Sequence, residues 1–266
     1  LVSDRVVVGL CCLSYGHGEQ RDVPRVDRRR REMGIRDRAV ARGTQVDLPA
    51  NAAGMLMIEV DGSRESLSSA ISAVSDAASG DGLVELRQAT DAGEIAALWA
   101  TRKALSPALR HIASKKINED VVVPVSRLPE LIAGLDALAE KHQVHIVNFG
   151  HAGNGNMHTN LLGEPEDMER MHRCLDDVFD LVLSLDGTLS GEHGVGIEKR
   201  PFIDREIPAA SLDVMAELNR AFDPHGILNP GKRPPDRIKQ HPGPHAPPGT
   251  GTRPDADTTC RRTSGT

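Results

Sequence analysis

From residue 55 to residue 232 the chain alternates short apolar runs with longer stretches whose apolar residues recur at helical spacing, joined by short connections. That alternation of strand and helix periods constrains the fold more than any other feature. Residues 55–60 are an apolar run closed by Asp61-Gly62, a strand and a turn. Residues 63–78 carry Leu67, Ala70, Ile71 and Val74 on one helical face, with Ser63 as N-cap and Gly80 as stop. A second strand is expected at 83–86. A helix is expected over 91–109 through Ile95, Leu98, Trp99 and Leu105, with Pro107 kinking or ending it. Residues 120–124 form a third strand whose proline belongs at an edge or terminus. Residues 128–142 make an amphipathic helix, 144–149 and 157–162 are strands flanking a glycine-rich turn, and 166–185 and 211–222 are helices. The order predicts an α+β domain, a ferredoxin-like antiparallel sheet with helices on one face and a helical segment at its C-terminal end. No repeat of solenoid length is present.

Composition bounds the function. The 266 residues suffice for a substantial core, and the formal net charge of -6 argues against general nucleic-acid binding. Aromatics are 2% of the chain, so few base-stacking platforms exist and the core must be aliphatic. Cys11, Cys12, Cys174 and Cys260 contain no C-x-x-C pair, which fits neither a disulfide framework nor a zinc ribbon and makes a reducing compartment the default. The apolar run 6–13 is too short for a bilayer span of about 20 residues and lacks a cleavage site, so no transmembrane segment or signal peptide is expected. Cytoplasmic location, or attachment at the membrane periphery, follows as the expectation. The first residue is Leu1, which suggests a start within a longer polypeptide. Residues 1–44 are an atypical basic segment, with Arg28 to Arg31 consecutive and no sustained period, expected to be poorly ordered. The arginine run reads as a solvated stretch or, alternatively, an anion-binding arm. Residues 45–232 form the domain, and 233–266 are a Pro/Gly-rich tail expected to be disordered.

Residues with catalytic capacity gather in two glycine-rich stretches. In 149–160, three glycines between 150 and 155 permit a tight turn that brings His151 back toward His158, while His158 and Asn160, two apart on a strand, share a face. In 187–196, Glu192 and His193 are adjacent between glycines that leave them uncovered. Two histidines and one glutamate are a recognised divalent-metal set, so His151, His158 and Glu192 are the candidate ligands, with Zn²⁺ or Mn²⁺ the expected ion and Fe²⁺ not separable from them. A loop histidine is commonly a surface or core residue instead, and His142, His145, His172 and His225 are read that way. Phosphate cradling by the glycine-rich turn is the weaker reading, because the Lys-Ser/Thr ending of a P-loop is missing.

Three motifs then carry a family resemblance: Gly-His-Ala-Gly-Asn-Gly-Asn-Met-His at 150–158, Ser-Gly-Glu-His-Gly-Val-Gly at 190–196 followed by Lys199, and Asp-Pro-His-Gly-Ile-Leu-Asn-Pro-Gly-Lys at 223–232. With residues 99–102 and 116–124, they make residues 45–232 resemble the C-terminal domain of FAD-linked 2-hydroxyacid oxidases and dehydrogenases. These are the glycolate oxidase D-subunit, D-lactate and D-2-hydroxyglutarate dehydrogenase group of the vanillyl-alcohol oxidase superfamily. The resemblance implies a substrate and metal domain covering a flavin held by a separate domain. It matches His151, His158 and Glu192 to divalent-metal ligands. It matches His193 to the base that takes the hydroxyl proton as hydride leaves Cα of a D-2-hydroxy acid for flavin N5. Arg102, Asn160 and Lys116 match substrate contacts, the arginine suiting a carboxylate, and Asn229 a contact at the flavin edge.

Three departures qualify the match. Asn154 stands where the family motif has Asp, which weakens an acceptor that would orient a ligand histidine. Residues 1–32 do not resemble the family and read as a shifted frame or truncated start. A Pro-Gly-Gly-rich FAD-binding domain is missing, so the isolated chain is expected to be inactive, needing that domain in cis or in trans. The electron acceptor has no expected seat here. The alternative is an inactive truncated remnant acting as a metal-binding or interaction module.

Overall fold

The computed structural model describes residues 4–13, 30–34 and 54–232. Their order is β1 (Asp4–Leu13), β2 (Arg30–Gly34), β3 (Gly54–Gly62), α1 (Arg64–Ala78), β4 (Leu83–Ala89), α2 (Ala92–Ala108), β5 (Lys115–Val122), α3 (Leu128–His142), β6 (His145–His151), β7 (Asn156–Gly163), α4 (Met168–Ser184) and α5 (Ala209–Phe222). The strands form one seven-stranded sheet in the order β4-β1-β3-β2-β6-β7-β5, and its neighbouring strands pair antiparallel. The α+β antiparallel expectation is met.

Caps set the helix limits where the residue types require them. Ser63 accepts the Ser66 N–H at 3.4 Å, and Asp91 accepts those of Gly93 and Glu94 at 2.8 and 3.0 Å. Pro107 ends α2 within a residue, and a single 3₁₀ turn follows. Gln143 closes α3 in the left-handed conformation, φ 53°.

Two differences from the sequence reading stand out. Residues 4–13 and 30–34 lie in the stretch read as aperiodic, yet β1 runs between β3 and β4, and β2 joins β3 to β6. β1 is an apolar run broken by Gly9, where its pairing with β3 slips by one residue, so no clean period two exists to be read. The tail 233–266 and Arg28–Arg29 lie outside the described residues. The second difference concerns the layers. Leu67 and Val74 of α1 pack on Ile58 and Val60, and α3 and α4 pack on Val121, Met157 and Leu161, as expected of helices on one face. On the opposite face, Leu98 and Trp99 of α2 meet Met57, and Leu105 and Ala108 meet Val147, Phe149 and Leu162. Alternation along β3 makes this second layer necessary, because Met57 and Ile58 are both buried and point to opposite sides.

Under α3 and α4 lies the larger core, with Leu131, Leu135, Met171, Cys174, Val178, Phe179 and Val182 closed to solvent. Burial pushes the Cys174 thiol up to about 11, leaving it an inert core residue. The segment joining α4 to α5 is tied down by Phe202 on Phe179, 4.7 Å between centroids, and by Arg205 on Asp176 and Asp180 at 2.6 and 3.0 Å. Among the described residues, no helix is long and apolar enough to cross a membrane.

Candidate metal and substrate site

The site is built on the α2 side of the sheet by register. Asp120, His158 and Phe149 are consecutive partners across β5, β7 and β6, the next row holds Asn118, Asn160 and Val147, and the row on the other side holds Val122, Asn156 and His151. Residues in such rows project to the same face, so two imidazoles from neighbouring rows come together without any loop having to reach. The turn between β6 and β7 makes this possible. Gly155 takes φ 78°, and a Cβ there would overlap the Val123 carbonyl oxygen. Asn154 Oδ1 accepts the Asn156 N–H at 3.2 Å, so this amide closes its own turn.

The 190–193 loop supplies the rest. His151, His158 and Glu192 offer ligand atoms all within 4.8 Å of one another. His158 Nε2 lies 3.1 Å from Glu192 Oε1, the spacing of two neighbouring ligands each bound at about 2.1 Å to one ion. The His151 and His158 rings meet edge to face at 5.8 Å, and His193 stacks on His158 at 5.6 Å. Burial holds His158 below the ordinary imidazole range despite the Glu192 carboxylate, with the charges of His151, His193 and Arg102 acting in the same direction as burial. A neutral imidazole is the ligating form, so the donor set fits a divalent cation.

Arg102 of α2 sits over Phe149, 5.4 Å from the ring centroid, placing a guanidinium beside the histidines. Asn160 is closed to solvent and its Nδ2 donates to the Val147 and His158 carbonyls at 3.0 and 3.1 Å, while its Oδ1 has no hydrogen-bond partner. The two remaining candidates are anchored differently. Lys116 is exposed, with Nζ 3.5 Å from Ser106 Oγ of α2. Asn229 takes φ 51° in the exposed turn after α5, and that turn is held by Arg200 donating to the Gly231 carbonyl.

Sequence reasoning gave no role to Asp120 or Lys199, although both lie in the stretches that carry the resemblance. Asp120 is fully buried, and its carboxylate accepts from Lys199 Nζ and from the Glu192 and His193 N–H groups at 2.5 and 2.8 Å. Burial alone would raise its pKa, but Lys199 and the two backbone donors outweigh it and hold the group down to about 2. Lys199 also lies 3.3 Å from Glu119 Oε2. Because β5 is the edge strand, one ammonium can serve carboxylates from both of its faces. The available signal was two adjacent acids, Glu119 and Asp120, leading into the buried Val121. Of the histidines read as ordinary, His142 pairs with Asp177 at 2.6 Å on the surface of α3 and α4.

With this geometry in hand, similarity to known proteins is informative. The family described as FAD linked oxidases, C-terminal domain, matches residues 31–233, about three quarters of the chain and farther toward its start than the motifs alone reach. The chain is 33% identical over 191 residues to the glycolate oxidase subunit GlcD of Bacillus subtilis (strain 168), covering 71% of this chain and 41% of that protein. It is 35% identical over 143 residues to the D-2-hydroxyglutarate dehydrogenase of Stutzerimonas stutzeri (strain A1501), covering 51% of this chain and 30% of that one. The chain thus spans less than half the length of these relatives. Among solved structures, p-cresol methylhydroxylase with substrate bound superposes with a TM-score of 0.59 at 12% identity, over 87% of this chain and 52% of that one, a likeness of fold alone.

Proposed function

Because this chain belongs to the family of FAD linked oxidases, C-terminal domain, we propose that it is the substrate- and metal-binding part of an FAD-dependent oxidoreductase acting on D-2-hydroxy acids such as lactate, glycolate or 2-hydroxyglutarate. The observation that carries this reading is the convergence of His151, His158, Glu192, His193 and Arg102 on one side of the sheet. A substrate of this class presents a carboxylate and a hydroxyl on adjacent carbons. Arg102 suits the carboxylate, its planar fork matching two oxygens. Asn160 shares the face of His158 and holds an Oδ1 with no hydrogen-bond partner, closed to solvent in this chain. His151, His158 and Glu192 would hold a divalent cation, and Asn229 would meet the flavin edge. When bound, the cation supplies polarisation of the substrate oxygens, and FAD on the remainder of the protein supplies the hydride acceptor. His193 takes the hydroxyl proton as hydride departs from Cα, its partly exposed ring stacked on that of His158.

A second polypeptide surface is part of this reading. Val214, Leu218 and Phe222 of α5, with Ile227 and Leu228 beyond it, leave apolar side chains open to solvent, Phe222 at 82% exposure. A patch of that kind suits burial against the flavin-binding domain. The test is reconstitution. The full chain is mixed with a separately expressed FAD domain of a relative and a D-2-hydroxy acid under anaerobic conditions, and flavin absorbance is followed. Bleaching that requires the chain, the acid and a divalent ion is expected. Absence of bleaching with metal bound would instead leave an inactive metal-binding module.

A further inference from the structure

Asp120, which the functional reading does not use, holds the loop that carries Glu192 and His193. Its carbonyl accepts the Gly191 N–H at 2.9 Å, its Oδ2 accepts the N–H groups of Glu192 and His193, and its Oδ1 receives Lys199 Nζ and lies 3.2 Å from His193 Nδ1. Three consecutive backbone donors of a loop without helix or strand structure therefore converge on one buried residue. That residue is itself fixed in the sheet directly across from His158. Gly191 fits against this strand because a Cβ there would crowd the Val122 and Asn156 side chains.

Resting on the functional reading above, we infer that Asp120 is the positioning residue of the site, with Lys199 as its counter-charge. It sets where the Glu192 carboxylate stands and which nitrogen of His193 carries the proton. The chemistry follows from the contacts. Glu192 and His193 have side chains 47% exposed that meet His158 on one side only, and the carboxylate of Asp120 fixes their backbone. Asp120 Oδ1 stands 3.2 Å from Nδ1 and Glu192 Oε1 4.0 Å from Nε2, so the nearer carboxylate favours the ring proton on Nδ1 and leaves Nε2 as the accepting nitrogen. Lys199, itself buried, supplies the positive charge that a fully enclosed carboxylate needs. A wrongly placed ring proton would leave the base present but unable to accept at Nε2.

The experiment uses the full chain as wild type, Asp120→Asn and Lys199→Met, with fold content followed by circular dichroism. Zn²⁺ affinity is measured by calorimetry. The ¹⁵N shifts of His193 are recorded on metal-free protein at about pH 8.5, where imidazole is neutral. Wild type is expected to bind Zn²⁺ and to show His193 protonated at Nδ1. Asp120→Asn is expected to bind Zn²⁺ roughly 10- to 100-fold more weakly and to move the His193 proton toward Nε2, and Lys199→Met to change both in the same direction. A wild-type His193 protonated at Nε2 overturns the inference even if neither variant folds. So does a folded Asp120→Asn with unchanged affinity and unchanged shifts. If wild type shows the Nδ1 proton but no Zn²⁺ binding, the metal reading fails while the positioning of His193 by Asp120 stands.

Discussion

His193 and Asp136 show how neighbours decide what a titratable residue does. His193 stacks on His158, with Asp120 Oδ1 3.2 Å from its Nδ1 and Glu192 Oε1 4.0 Å from its Nε2, and in the proposed reaction Nε2 is the nitrogen that accepts the proton. Substituting His193→Asn is expected to slow flavin reduction in the reconstituted system by about 10²- to 10⁴-fold while leaving Zn²⁺ affinity within a few fold, a split read from kinetics and calorimetry together. Asp136, on α3, is pushed up to about 6 by burial and by Glu140 one turn away. A carboxyl whose folded pKa lies above its unfolded value of 3.8 binds its proton more tightly in the native state. Its contribution therefore favours folding as pH falls through about 6 and is unfavourable above it. Urea unfolding of wild type at pH 7 and pH 5 is expected to show this gain, about 1 kcal/mol, and Asp136→Asn to abolish it. The sequence pointed to His151, His158, Glu192 and His193 as candidates because glycines flank them and the motifs are local. Asp120 was hidden because its partners Glu192 and Lys199 lie 72 and 79 residues away, a distance no local pattern spans.

At the scale of elements, what was legible is what has a local cause. α1 and α2 begin after Ser63 and Asp91 because those side chains cap them, and α3 keeps its expected limits of 128 and 142. β1 and β2 were not legible. The register slip in β1 erases its alternation, and Arg30 and Arg31 in β2 read as part of a charge run. The presence of α2 on the site face also had no local signal, since it depends on which side of β3 stays uncovered. The β6–β7 turn is the element on which the site depends most, and Gly155→Ala is the test. The left-handed conformation and the overlap with the Val123 carbonyl are expected to cost about 1–3 kcal/mol in denaturant unfolding and to weaken metal binding by displacing His151 from His158. Unchanged stability and affinity would show that the turn has room the structure does not reveal.

Across the whole molecule, the sheet divides its labour. One face buries the core under α3 and α4, and the other carries Asp120, His158 and Asn160, with Arg102 of α2 over Phe149 beside them. The open apolar side of α5 gives the molecule a second exposed surface. Phe222→Asp is expected to weaken reconstitution with a flavin domain at least about tenfold without altering Zn²⁺ affinity or the unfolding midpoint, because its side chain is already in solvent. The most direct measurement is the divalent-metal content of the full chain purified without chelator, compared with a folded His158→Ala variant. About one Zn²⁺ or Mn²⁺ per chain is expected for wild type and almost none for the variant. A wild-type chain that carries no ion and takes up none on dialysis against either, or a variant that holds as much as wild type, would contradict the assignment of this cluster as a metal centre.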